Sequence, residues 1–119
     1  MASDESPHFR LEYAGGVTVV RVTSRELRHP PEAMQFGEDL SLALERDGST
    51  KVLVDFTGND YLSSTAFAVL LSLAKEVQGR GGTLKLCAFH PDVLRGANII
   101  GLGRVVEIYD EERDALKSF

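Results

Sequence analysis

Three consecutive hydroxyl side chains, Ser63, Ser64 and Thr65, are the residues of this chain best placed to do chemistry. They sit within the stretch Asp55-Phe56-Thr57-Gly58-Asn59-Asp60-Tyr61-Leu62-Ser63-Ser64-Thr65-Ala66-Phe67-Ala68, which reads as a buried strand, a short loop and the start of a helix. On pattern alone, a Ser or Thr there is a helix cap. It accepts a hydrogen bond from an orphan backbone N–H and contributes about 0.5–2 kcal/mol. The functional reading is a hydroxyl presented at the carboxyl end of the sheet, where open α/β sheets carry their sites. A phosphate on Ser64 would bring about −1.5 to −2 charges to a helix start. The free N–H groups there favour an anion, so the fold is expected to survive the modification.

Other chemistries are poorly supplied. A Ser64 nucleophile would need a neighbouring base and a third, orienting group. His8, His29 and His90 belong to no recognisable motif, and the Gly-x-Ser-x-Gly elbow is absent. Cys87 and His90 are three residues apart, but a structural zinc site takes four ligands and no matching pair exists. Cys87 therefore reads as a small apolar residue, and no metal or cofactor is implied. Gly79, Gly81 and Gly82 lack the Gly-Lys-Ser/Thr ending of a phosphate loop and read as turn residues. Asp55 reads as the acceptor of a loop-organising hydrogen bond, with no second carboxylate of defined geometry beside it. Asp60 reads as a solvated or partner-facing acid. Arg21, Arg25 and Arg28 form a short basic patch, either a solvated surface or a contact for an acidic partner.

The elements that would position these residues follow from hydrophobic periodicity. Phe9, Leu11 and Tyr13 alternate with polar neighbours, Gly15 and Gly16 supply a turn, and Val17, Val19, Val20 and Val22 follow, which predicts a β-hairpin. Residues 23–31 read as a loop, with Pro30 and Pro31 blocking any regular element before position 31. Met34, Phe36, Leu40, Ala43 and Leu44 predict an amphipathic helix from about Glu32 to Arg46. The nearly continuous run Val52, Leu53, Val54 and Phe56 predicts a central strand covered on both faces. The helical period of Ala66, Phe67, Leu70, Leu73, Ala74 and Val77 predicts a second helix from about Ser64 to Gln78. Leu84, Leu86 and Ala88 give another strand, and Pro91 opens a short helix through about Ile99. Val105, Val106, Ile108 and Tyr109 predict a last short strand. Asp110, Glu111 and Glu112, followed by Asp114, open a final helix with acids at its positive end. The order ββαβαβαβα predicts an α/β fold. Its mixed central sheet has about five strands, an N-terminal hairpin plus parallel crossovers, with about four helices.

Composition sets the outer bounds. A chain of 119 residues fits one domain, and 43% hydrophobic with 26% charged residues excludes both a disordered and a membrane-embedded class. A net charge of −5 argues against a direct nucleic-acid partner, because neutralising phosphates takes a clustered basic face. Cys87 is the only cysteine, so no internal disulfide can form. No apolar stretch approaches the roughly 20 residues of a membrane helix, so no membrane insertion is expected. Residues 1–7, polar and acidic, read as a flexible leader, leaving 8–119 as the domain. Nothing in the sequence selects an oligomeric state.

Several of these segments together carry a family resemblance. The order of elements, Asp55-Phe56-Thr57-Gly58 leading to Ser63-Ser64-Thr65-Ala66, Gly81-Gly82-Thr83-Leu84 entering the next strand, and the tail from Gly101-Leu102 to Ala115-Leu116 resemble the STAS domain over about residues 8–117. The resemblance implies a non-enzymatic, cytoplasmic anti-sigma-factor antagonist. In that family the signature reads Asp-Ser-Ser/Thr-Gly, and the serine after the Asp is phosphorylated by a partner that is both serine kinase and anti-sigma factor. Here Ser64 holds that position, with Thr65 as the alternative acceptor. Asp60, Ser63, Ser64 and Thr65 would contact the partner, and a phosphatase would reset the switch. This chain departs from the signature with Ser63 in place of Asp and Ala66 in place of Gly. The family also implies an alternative, a STAS scaffold or regulatory subunit of a larger signalling or transport assembly that is not phosphorylated.

Overall fold

The computed structural model describes residues 6–119, so most of the expected leader lies outside the described residues. Strands β1 (Phe9–Ala14) and β2 (Val17–Val22) form the expected hairpin across Gly15 and Gly16. There follow β3 (Glu26–Leu27), α1 (Pro30–Asp47), β4 (Lys51–Asp55), β5 (Tyr61–Leu62), α2 (Ser64–Gly79) and β6 (Thr83–Cys87). The chain ends with α3 (Pro91–Ile99), a 3-10 turn at Leu102–Arg104, β7 (Ile108–Tyr109) and α4 (Glu112–Lys117). The main sheet has the order β1-β2-β4-β6-β7, with β1 antiparallel to β2 and every other pairing parallel. The mixed five-stranded sheet and four helices match the expected architecture.

The two faces of the sheet have different covers. Val52 and Val54 of β4 point into the large core under α1, α2 and α3, with Phe9, Phe36, Leu40, Leu70 and Leu86. Leu53 points the other way, onto a smaller cluster with Val17, Val19, Cys87 and Ala115 of α4. This double burial is why β4 reads as an unbroken apolar run. The short α4 is fastened through Lys85, a buried ammonium on β6. Its Nζ donates to the Ser118 carbonyl at 2.9 Å and to Ser118 Oγ at 2.8 Å and lies 4.8 Å from the Phe119 ring centroid. Gly82 has no room for a side chain, since a Cβ there would meet the Thr50 carbonyl oxygen at 2.5 Å.

Four expectations need correction. Residues 23–31 are not all loop, because Glu26 and Leu27 pair in parallel with Tyr61 and Leu62 as a separate two-stranded ribbon. Pro30 and Pro31 start α1 rather than delaying it. At the first helical positions the missing proline N–H would have had no partner, and the fixed φ suits a helix. Met34 is 54% exposed and Ala33 takes the buried position expected for it. Val105 and Val106 extend the 3-10 turn, both amides donating to the Leu102 carbonyl, and only Ile108 and Tyr109 pair with β6.

Phe56 is the side chain on which the exit from β4 rests. It is fully buried, with its ring centroid 4.7 Å from that of Phe89. Replacing it with Ala removes this packing and leaves a cavity, so Phe56→Ala is expected to lower unfolding free energy by about 3–5 kcal/mol. Urea denaturation reads this as a lower midpoint at an unchanged slope.

Candidate functional site

The segment carrying the three hydroxyls begins at Asp55, which is 3% exposed at the last position of β4. Its Oδ1 accepts the Thr57 N–H at 2.9 Å and the Thr57 hydroxyl at 2.7 Å, the loop-organising bonds expected of it. Its Oδ2 accepts from Arg21 at 2.7 Å, and Arg21 and Asp55 are register partners on β2 and β4. The same guanidinium donates twice to Glu112 of α4, at 2.6 and 3.0 Å, and once to Glu12 of β1 at 2.7 Å. A second carboxylate therefore does stand near Asp55, which sequence reasoning missed because Glu112 lies 57 residues away (112 − 55). Burial alone would push the Asp55 carboxyl up. The interaction at Glu112, the two Thr57 bonds and the Arg21 charge outweigh it and hold the carboxyl below its ordinary range. Glu112 and Glu12 in turn raise the Arg21 pKa, so this guanidinium stays charged.

The far end of the loop is held by the small ribbon. Gly58 turns the chain with φ +90°, a conformation that suits glycine. The Asp60 N–H donates to the Arg25 carbonyl at 2.8 Å and the Ser63 N–H to the Leu27 carbonyl at 3.0 Å, flanking the β3–β5 pair. Asn59 Nδ2 donates to the Ser24 carbonyl at 3.0 Å. Arg25 Nε donates to Asp60 at 2.8 Å, and Arg28 pairs with Glu26 at 3.2 Å and lies 4.2 Å from the centre of the Tyr61 ring. The expected basic patch is thus corrected, since Arg21, Arg25 and Arg28 are each neutralised by a carboxylate. Asp60, expected to be solvated or partner-facing, is half-buried and engaged with Arg25.

The three hydroxyls have separate places. Ser63 is the N-cap of α2, its side chain accepting the Ala66 N–H at 3.2 Å. Ser64 is the first helical residue and is exposed. Among the described residues, neither its hydroxyl nor the amides of Ser64 and Thr65 take part in a hydrogen bond. Ser64 stands at the rim of an apolar pit of about 290 Å³ lined by Phe67, Leu71, Ile100, Leu102 and Val105. Of its lining, Ile100 is 58% and Val105 42% exposed, and Ile99, the neighbour of Ile100 in the chain, is 85% exposed, apolar exposure of the kind that marks a contact site. These three residues escaped sequence reasoning, although Ile99-Ile100 lying past the helical stripe of α3 and before Gly101 was a usable signal. Thr65 lines a different recess, against α1.

Two of the histidines have partners of their own. His8 Nδ1 lies 2.7 Å from the Ser24 hydroxyl, and His90 Nδ1 accepts the Asp92 N–H at the start of α3. Cys87 is fully buried, and burial pushes its thiol up to about 12. Among the described residues no cluster of His, Cys, Asp or Glu is arranged to hold a metal ion, and no helix is long and apolar enough to cross a membrane.

The Asp55 carboxyl makes stability depend on pH with a definite sign. Its folded pKa lies below the unfolded value of about 3.9, so its contribution is complete above that value and is lost as pH falls through the folded pKa. Asp55→Asn is expected to lose the charge-assisted bond to Arg21, about 1.5–3 kcal/mol at neutral pH, and to flatten the acid limb of the stability curve. Urea titrations at pH 7 and below pH 4 check both. A variant as stable as the parent at pH 7 would show that the carboxylate does not hold the loop.

Comparison with known proteins identifies the family. The STAS domain family model matches residues 9–115. The chain is 26% identical over 106 residues to the anti-sigma F factor antagonist of Paenibacillus polymyxa, an alignment covering 89% of each. Among solved structures it is similar to an anti-sigma-factor antagonist (STAS) domain protein from Planctomyces limnophilus, with a TM-score of 0.81 at 21% identity over 92% of this chain and 96% of that one. It is also similar to the Bacillus cell fate determinant SpoIIAA in its phosphorylated form, with a TM-score of 0.67 at 22% identity over 92% and 97% of the two chains. These structural likenesses speak for the fold, and the family match runs from β1 into α4, through every strand of the sheet and the Ser63–Thr65 segment. The chain belongs to the STAS domain family.

Proposed function

We propose that this protein is an anti-sigma-factor antagonist that binds a kinase-type anti-sigma factor through the Ser64 face and is switched off by phosphorylation of Ser64. The observation that carries the reading is the state of that one hydroxyl. It is exposed at the first position of α2, spent on no hydrogen bond, and set at the rim of an exposed apolar pit. The Paenibacillus polymyxa relative, an anti-sigma F factor antagonist by name, supports the partner class.

The chemistry needs nothing from this chain except the acceptor. The partner's ATP supplies the phosphoryl group, the bond from the γ-phosphorus to ADP breaks, one from phosphorus to Ser64 Oγ forms, and the hydroxyl proton leaves to a base of the kinase. The two free amides at the start of α2 favour the resulting dianion, so the helix stays intact. The apolar surface beside it becomes a poor contact, because docking must now desolvate a phosphate. A phosphatase restores the contact by hydrolysing the ester. Ser63 fills the structural part of the usual Asp, since both side chains cap a helix well. A cytoplasmic location goes with this reading, because a regulator of a sigma factor acts where transcription occurs.

Thr65 is the alternative acceptor, but a phosphate there would enter the recess against α1 and leave the Ser64 pit open. A second reading, a STAS scaffold that is never phosphorylated, is favoured by Ser63 standing where the family carries a carboxylate.

Incubation with the cognate kinase-type partner and ATP, followed by intact-mass and peptide analysis, is expected to place one phosphate on Ser64. Ser64→Ala is expected to bind that partner at parental affinity and resist switching. Ser64→Asp is expected to bind at least about tenfold more weakly, a difference of about 1.4 kcal/mol. Phosphate on Thr65 would move the switch to the α1 side, and no phosphate on either residue would select the scaffold reading.

A further inference from the structure

The recess on the α1 side of Thr65 is a groove of about 730 Å³ between α1 and α2, which meets the Ser64 pit at Ala68 and otherwise has its own lining. Small residues line it from both sides, Gly37 and Ser41 on α1 with Ala68 and Ser72 on α2. The helices meet closely at Gly37, where a Cβ would lie 2.7 Å from Val69 Cγ1. Along α1 the residues Met34, Glu38, Leu42 and Glu45 follow one another at three- or four-residue steps and so share one stripe. Met34 is 54% and Leu42 47% exposed, two large apolar side chains that no other element covers among the described residues. From Met34 to Glu45 the stripe runs about 16 Å, three helical turns.

The charge on the groove is of one sign. Glu38, Glu45 and Glu76 line it, and no Lys, Arg or His does. Glu76 is partly engaged, accepting the Ser41 hydroxyl at 2.5 Å and lying 3.8 Å from Arg80, whereas Glu38 and Glu45 have no ion pair among the described residues. Both helices lead from one parallel strand to the next, so they run in the same direction. Glu45 and Glu76, in their last turns, add to the negative ends of both helix dipoles. A second copy of this chain would set glutamates against glutamates.

We propose that the α1–α2 groove docks a basic amphipathic helix from a partner protein. The helix would lay its apolar stripe on Met34, Leu42 and Val69 and bring its Lys or Arg residues to Glu38 and Glu45. The inference rests on the α1 stripe, which the Ser64 pit does not include, although the two surfaces share Ala68 on α2. Shifts along residues 34–45 of α1 distinguish occupancy of the groove from a contact at Ser64.

The probe is a synthetic amphipathic helical peptide with a leucine stripe flanked by lysines, titrated into the isotopically labelled full chain and followed by amide NMR shifts. A control peptide carries glutamates in place of the lysines. Shifts confined to residues 34–45 and 65–76 are expected for the lysine peptide. Its affinity should be about tenfold above that of the control, and the preference should fade at high salt. The charge-reversal pair Glu38→Lys and Glu45→Lys changes exposed side chains only and should reverse the preference, while Met34→Lys with Leu42→Lys should abolish binding. No binding of the lysine peptide, equal binding of both peptides, or shifts centred elsewhere would overturn the proposal. So would self-association on sedimentation that Met34→Lys with Leu42→Lys removes, which would make the occupant a second copy.

Discussion

A carboxylate buried at the end of a central strand has to be paired, and the pairing of Asp55 organises the functional end of this molecule. An unpaired charge at 3% exposure would be costly enough to neutralise itself or unfold its surroundings. Arg21 answers it from the neighbouring strand at the same register, so the ion pair runs between the two strands in the middle of the sheet. Because the same guanidinium also holds Glu112 and Glu12, one side chain joins β1, β2, β4 and α4. The other carboxylate oxygen bends Thr57 back over the strand end and fixes the direction in which the chain leaves β4.

That exit direction decides what Ser64 can do. Between Thr57 and Ser64 the chain is zipped to residues 24–27 by backbone bonds, the Asn59 side chain and the Arg25–Asp60 pair. The loop is therefore fixed at both ends before any partner arrives, which removes most of the ordering cost of docking. Ser63 and Ser64 divide the work. One hydroxyl is consumed in capping α2, and its neighbour, one position further, is left unbonded beside exposed Ile100 and Val105. A modification at such a residue would change the charge of a surface without breaking a bond that the fold uses, so the proposed switch would be local.

The architecture was legible from the sequence wherever an element was long enough to show its period. The hairpin, β4, β6 and the first three helices are such elements, and the exposed position of Ser64 follows from their order. The two-residue strands β3 and β5 show no period at all and exist only because the β4–α2 loop folds back on residues 24–27. Val105 and Val106 looked like strand because β-branched residues favour strands, but the turn at Leu102 captured both amides. Arg21 and Arg25 looked like a basic patch because Glu112 and Asp60 are distant in sequence and meet them only through the sheet and the ribbon, whereas Glu26, two residues from Arg28, was a partner the sequence did show. Met34 fitted the helical period, yet the shallow groove between α1 and α2 leaves it uncovered.

The central claim is that a rigid, preformed site carries a switch that acts only at its surface. It is tested most directly by installing phosphoserine at position 64 of the full chain and comparing its amide NMR spectrum and hydrogen exchange with those of the unmodified protein. The expected result is shifts restricted to residues 63–68 and 100–105, with exchange protection of β2, β4 and β6 unchanged. Shifts spreading through the sheet, or loss of protection in the β3–β5 ribbon, would contradict it.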